Sequence, residues 1–334
     1  MEYRLREPVS NPRRYFSLTG LALFVILAVS TLLQVAGAAL IKTAAPQWTL
    51  GSWYIWALTF LPLYAVAVPV GYLIFKRIPV KAPLPGKMRI GSLLSYLFMC
   101  ICVMYIGNII GLLFNALIER IGNTPVVNPL ESYVGATNLF LSVLFMVILA
   151  PIVEEYIFRK LIIDRLGIYG EGAAILVSAL TFALFHGNFY QFFYAFGLGA
   201  MFAFLYLRTG RLRYTVILHM AINFTGGILG PALAKSIDLD RLADISSNNA
   251  EEAITFISRE LPKLIALSLY LLMMIGFAAA GLVLIIVKRK SFALVPAERQ
   301  LKKGTAFKVI FLNIGMILFV VLSGAMVVFM LFGI

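Results

Sequence analysis

Pro151-Ile-Val-Glu-Glu-Tyr-Ile-Phe-Arg-Lys160 is the stretch on which the reading of this chain turns. It continues an apolar run that begins near Leu139, so two adjacent carboxylates, Glu154 and Glu155, fall at or inside a membrane boundary. A charge at the centre of a bilayer helix costs at least about 2.5–3.5 kcal/mol on insertion scales. Arg159 follows Glu155 at i,i+4 with the acid on the N-terminal side, the favourable order for an ion pair. Glu154 lies about 100° round the helix from Glu155. One carboxylate is thus neutralised in place while its neighbour faces something else, and Glu154 is the candidate working group.

Composition sets the class. Of 334 residues, 61% are hydrophobic and only 13% are charged, against roughly half and roughly a quarter in soluble domains. The expected fold is all-α, a polytopic transmembrane bundle of about nine helices. The uncharged run 15–41 is far longer than the ~7–15 residues of a signal-peptide core, so it is read as a retained helix. Further spans are expected at 53–75, 90–117, from 137 into the glutamate pair, 172–186, 189–207, 214–229, 264–287 and 307–332. Most reach the ~20 residues needed for ~30 Å of hydrocarbon; the fifth and seventh are short.

Charge sorts these spans by side. With the N-terminus in the cytoplasm, 22 of the 28 Lys and Arg lie inside, leaving only Lys42, Arg120, Lys235, Arg241, Arg259 and Lys263 outside. That is the positive-inside asymmetry, so the net charge of +13 points to topology and to no nucleic acid. The chain divides into N-terminal helices and loops over 1–136, a core over 137–230, an extracytoplasmic loop over 231–263 and two C-terminal helices over 264–334. Within that loop, Asn248 and Asn249 precede a stretch at 250–260 with acids first and apolar residues on one face, which predicts a surface helix. Cys100 and Cys102 match neither a zinc-site nor a thioredoxin-like spacing and are read as packing residues.

The chain has only two histidines, His186 and His219, and both fall within predicted spans. Phe182 precedes His186 by one turn, and His219 precedes Asn223 by one turn, so each pair shares a helix face. Glu-Glu-x-x-x-Arg, Phe-x-x-x-His and His-x-x-x-Asn follow one another on consecutive apolar segments. Ionisable groups at membrane depth line a pathway or a reaction site.

These three motifs, EEYIFR, FALFH and HMAIN, resemble those of the CAAX protease and bacteriocin-processing family of intramembrane endopeptidases, related to the type II CAAX prenyl endopeptidases. Lys160 departs from the glycine that many members carry after the arginine. The resemblance implies a membrane-embedded hydrolase that cuts a peptide bond near the cytoplasmic interface. Glu154 would activate water and His186 would share it. His219 and Asn223 would stabilise the oxyanion, with Glu155 and Arg159 as a clamp and Phe182 in support. Zinc or another divalent metal on Glu154, His186 and His219 is the alternative chemistry, although the helical His-Glu-x-x-His arrangement is absent. The implied partners are a peptide or small membrane-protein substrate and the lipid bilayer, in a bacterial plasma membrane rather than the ER. Competing readings are a proton- or ion-coupled transporter and a non-catalytic immunity or regulatory protein of the same fold.

Depth imposes a condition on all of these. Counted at ~1.5 Å per residue from Gly172, His186 lies about 21 Å from the inner surface. It meets Glu154 only if the fourth helix continues past the glutamate pair to about Asp164, with Gly187-Asn188 as a turn buried in protein.

Overall fold

The computed structural model describes residues 11–123, 126, 128, 138–238, 250–297 and 299–332. Its elements are helices: α1 Pro12–Ala44, α2 Tyr54–Phe75, α3 Ile90–Gly122, α4 Leu139–Tyr169, α5 Glu171–Phe185, α6 Phe189–Thr209 and α7 Leu212–Lys235. After these come α8 Ala250–Val287, α9 Lys303–Ile310 and α10 Ile314–Phe332. Eight are long and apolar enough to cross a membrane, and α5, at 15 residues, is a shorter apolar helix beside them. The polytopic all-α bundle is therefore what the sequence builds.

Caps and small residues set the ends and crossings. Asn11 begins α1 by accepting a hydrogen bond from the Arg14 N–H at 3.2 Å, with Pro12 in the first turn. Gly210, at φ +56°, ends α6. Helices α1 and α10 cross where a Cβ on Gly20 would overlap the Met316 backbone. In lipid, close approach of this kind stands in for a hydrophobic drive between helices. Around the middle of the bundle, α6 packs between α3 and α5, α8 lies against α3, and α7 packs on α4.

The extension that depth required of α4 is present, the helix running past the glutamate pair to Tyr169, while two other expectations change in detail. The 250–260 stretch is the opening of α8, one 38-residue helix that carries Pro262 inside it; Asn248 and Asn249 lie outside the described residues. The ninth span is broken: Asn313 donates to the Val309 and Ile310 carbonyls at 3.1 and 2.9 Å and accepts from the Met316 N–H at 3.0 Å. That asparagine ends α9 and starts α10.

Proline shapes the site-bearing helices. Segments Pro62–Ala67, Val143–Leu149 and Asn223–Leu229 are π-helical, and each ends two residues before a proline: Pro69, Pro151 and Pro231. A proline ring clashes with the carbonyl four residues back, and widening the preceding turn relieves the clash. The widened turn seeks its hydrogen bond five residues on, where proline has no N–H to give. For Met146 the residue at that position is Pro151, and Asn223 of α7 fills the gap, its Nδ2 donating to the Met146 carbonyl at 2.9 Å. Tyr270 of α8 donates to the Thr225 carbonyl at 2.8 Å, which also takes the Gly230 N–H and so ties α8 to the third wide turn.

The basic connections gather at one end of the bundle, as the charge sorting requires. Lys81 N–H donates to the Asp164 carbonyl at 2.6 Å and Gly86 N–H to the Thr209 carbonyl at 2.7 Å. The backbone N–H groups of Arg299 and Leu301 donate to the Ile168 and Tyr169 carbonyls at 3.2 and 3.1 Å. Glu171 forms a two-pronged ion pair with Arg208 and accepts the Val295 N–H at 2.7 Å.

Candidate active site

Glu154 stands fifteen residues from either end of α4, so at 1.5 Å per residue it lies about 22 Å from each. His186 stands fifteen residues beyond Glu171, the first residue of α5, and so reaches the same depth from the basic end. The extended α4 removes the mismatch in depth. Directly after His186, Gly187 at φ +65° turns the chain back, a conformation that suits glycine. Asn188 then caps α6: its Oδ1 accepts the Gln191 N–H at 2.9 Å and its Nδ2 donates to the His186 carbonyl at 2.8 Å. Both turn residues are buried, which fits the rule that irregular backbone at membrane depth is enclosed by protein.

The charged groups form a chain from α4 to α7. Arg159 Nε lies 3.0 Å from Glu155 Oε2, with both side chains fully buried. The other oxygen of Glu155 lies 3.0 Å from His219 Nδ1. A carboxylate at that distance calls for a proton on Nδ1, which turns Nε2 towards Glu154, whose Oε2 is 3.6 Å away. Glu154 is the exposed member of the chain, with a quarter of its side chain accessible. His186 is fixed separately, through a 2.8 Å hydrogen bond from Nδ1 to the Phe182 carbonyl.

Phe182 is the hub. Its ring takes the Arg159 guanidinium at 4.5 Å and meets His186 and His219 edge-on, with centroids 4.9 and 5.8 Å away. Phe202 of α6 closes the other side, 5.4 Å from both the His219 ring and the Arg159 guanidinium. An arginine sealed between two aromatic faces keeps its charge through cation–π attraction. Phe202 was not legible in the sequence, since nothing separates it from other aromatic residues of a span.

Asn223 shares the site-facing helix with His219, but one of its amide hydrogens is committed to the Met146 carbonyl. Tyr194 of α6 is seated against Gly107 of α3, where a Cβ would overlap its backbone.

Among the described residues no three His, Cys, Asp or Glu donors, Glu154, His186 and His219 included, come together in a group that could hold a metal ion. His219 Nδ1 is held by Glu155 and His186 Nδ1 by a backbone carbonyl, which leaves Nε2 as the remaining nitrogen of each imidazole.

Comparison with known proteins addresses this same region. Residues 136–225 match the family model described as type II CAAX prenyl endopeptidase Rce1-like. Over 95 residues the chain is 36% identical to the membrane-embedded CAAX protease MroQ of Staphylococcus aureus (strain USA300), covering 26% of this chain and 38% of that protein. The chain thus spans well under half the length of the curated relative it matches. No solved structure matches it. Over residues 136–225, the segment that carries Glu154, His186 and His219, this chain is similar to the CAAX proteases.

Proposed function

We propose that this multi-pass membrane protein is an endopeptidase that hydrolyses a peptide bond at mid-membrane depth, open to the cytoplasmic side. The supporting observation is the buried chain Arg159–Glu155–His219 that ends at Glu154, with Glu154 its accessible member. In this reading a substrate water sits against Glu154 and His186, and Glu154 takes its proton as general base. The hydroxide attacks the peptide carbonyl, whose oxygen becomes negative and accepts hydrogen bonds from the second amide hydrogen of Asn223 and from Nε2–H of His219 in its doubly protonated, imidazolium form. Breakdown releases the amine, which receives the proton held by Glu154. Glu155, backed by Arg159, holds the Nδ1 proton and ring plane of His219, the role a buried carboxylate plays behind a catalytic imidazole.

No step is routed through a metal, because the donors do not gather around one centre. The substrate is a peptide or small membrane protein that reaches Glu154 from the bilayer or the basic rim. Residues 137–230 are the catalytic core within this proposal, and a bacterial plasma membrane is its setting.

The test is cleavage by the purified protein in detergent, using a library of internally quenched peptides with and without a prenylated cysteine near the C-terminus. Wild type should cut at least one peptide that Glu154→Gln, His186→Ala and His219→Ala leave intact. Equal cleavage by wild type and Glu154→Gln would remove the proposal.

A further inference from the structure

The cytoplasmic start of α7 gathers hydrogen-bond donors and no acidic side chain. The phenol oxygen of Tyr214, a residue only 7% exposed, accepts from the Met88 N–H at 3.0 Å and from Arg213 Nη2 at 3.2 Å. Two accepted bonds leave the phenol its own hydrogen to give, and among the described residues nothing takes it. Arg213 is exposed and packs its guanidinium over the Tyr214 ring at 5.0 Å. Arg211 is partly buried, with its Nε enclosed, and no acceptor meets its guanidinium among the described residues. No Asp or Glu occurs over 76–118 or 172–237. The acids described nearby are engaged: Asp164 by Lys160 at 2.7 Å and Tyr206 at 2.8 Å, and Glu171 by Arg208. The positive-inside asymmetry accounts for arginines on this side. It does not account for a buried phenol that collects two donors and keeps a third hydrogen to offer.

What lies above the cluster points to the ligand. Arg213, Ile217 and Phe224 share one face of α7, and all three are exposed, Ile217 at 49% and Phe224 at 43%. Arg211 stands eight residues before His219, about 12 Å along the helix. With the Glu154–His219 pair midway through the bundle, the start of α7 falls near the edge of a ~30 Å hydrocarbon layer. An apolar stripe with an arginine at its foot matches a lipid, acyl chain above and headgroup below. A free phosphate ion offers the same oxygens but has no use for the stripe. A zwitterionic headgroup brings its own cation towards two arginines that no acid offsets.

We propose that the start of α7 binds the phosphate of an anionic phospholipid of the cytoplasmic leaflet. Arg211, Arg213 and the Tyr214 hydroxyl donate to the phosphate oxygens, and an acyl chain lies along Ile217 and Phe224.

The experiment follows the melting temperature of the full-length protein in neutral detergent against increasing short-chain phosphatidylglycerol, short-chain phosphatidylcholine or sodium phosphate. Ligand that binds the folded state raises the melting temperature in proportion to its affinity. Phosphatidylglycerol should stabilise wild type, while phosphatidylcholine and sodium phosphate should not. Arg213→Gln and Tyr214→Phe should each weaken the phosphatidylglycerol response by about tenfold in concentration, as loss of one hydrogen bond to a charged group does. Arg211→Gln combined with Arg213→Gln should abolish it. Arg289→Gln combined with Lys290→Gln removes two exposed cations elsewhere on the same side and should leave it unchanged. An undiminished response in Tyr214→Phe overturns the inference, since diffuse charge attraction needs no phenol. An equal response to sodium phosphate overturns the lipid assignment, and a response lost equally in the Arg289 and Lys290 variant overturns the site.

Discussion

Removing Arg159 should do more damage than removing Arg159 and the charge of Glu155 together. The two side chains are fully buried and lie 3.0 Å apart. The guanidinium also rests on Phe182 at 4.5 Å and Phe202 at 5.4 Å, while its Nη1 and Nη2 have no hydrogen-bond acceptor among the described residues. In Arg159→Met the Glu155 carboxylate keeps its bond to His219 but loses its permanent counter-charge in a dry site, a change that costs about 3–5 kcal/mol. Glu155→Gln leaves the guanidinium in the same state and should cost a similar amount. Combining Arg159→Met with Glu155→Gln removes both charges and fills the slot between the two phenylalanines with a flexible apolar side chain. The double variant should therefore cost no more than either single one, which makes the interaction energy about 3–5 kcal/mol. The assay is a double-mutant cycle on unfolding free energy in detergent. Losses that add to within about 0.5 kcal/mol would refute the reasoning, since independent sites add to that precision.

Other substitutions test separate parts of the site. Asn223→Ala should lose about 0.5–1.5 kcal/mol of stability through the Met146 carbonyl, and should also lose activity; activity equal to wild type would remove Asn223 from the oxyanion site. Gly187→Ala, at φ +65°, should cost about 1–2 kcal/mol and lower kcat by shifting His186, as read by melting and cleavage together. Glu155→Gln should lower kcat by about 10²–10⁴, because an amide facing Nδ1 no longer fixes the His219 proton. A chelator strong enough to strip zinc should leave cleavage by the purified protein intact, and metal analysis should find less than one bound equivalent; a chelator-sensitive rate would refute the donor reading.

The bundle and much of the site were legible because their signals are local. An ion pair at i,i+4 and two residues one turn apart are properties of a single helix, so Glu155–Arg159, Phe182–His186 and His219–Asn223 could be read from spacing. The extended α4 was legible from depth alone, since His186 had to meet Glu154. What crosses between helices was not legible. Phe202 sits in an apolar run rich in aromatic residues, and no periodicity marks which ring closes over His219 and Arg159. The bond from Asn223 to Met146 depends on the missing N–H of Pro151. That signal is in the sequence, but it becomes meaningful only when the preceding turn is known to be wide. Asn313 failed as a sequence signal for the same kind of reason: a lone asparagine in an apolar run gives no warning that one helix ends there and another begins.

The wide turn at Val143–Leu149 bears on which length changes this gene can tolerate. Such a turn carries an extra residue relative to ordinary helix, so losing one codon there would let it tighten and leave Glu154 and Glu155 near their present places. A codon lost within 150–153, which is ordinary helix, has no such slack: each residue downstream would advance about 1.5 Å and swing through about 100°, bringing Glu155 to where Glu154 now stands. Two deletions a few codons apart, alike in composition and hydropathy, would then differ in whether the two identical side chains exchange roles.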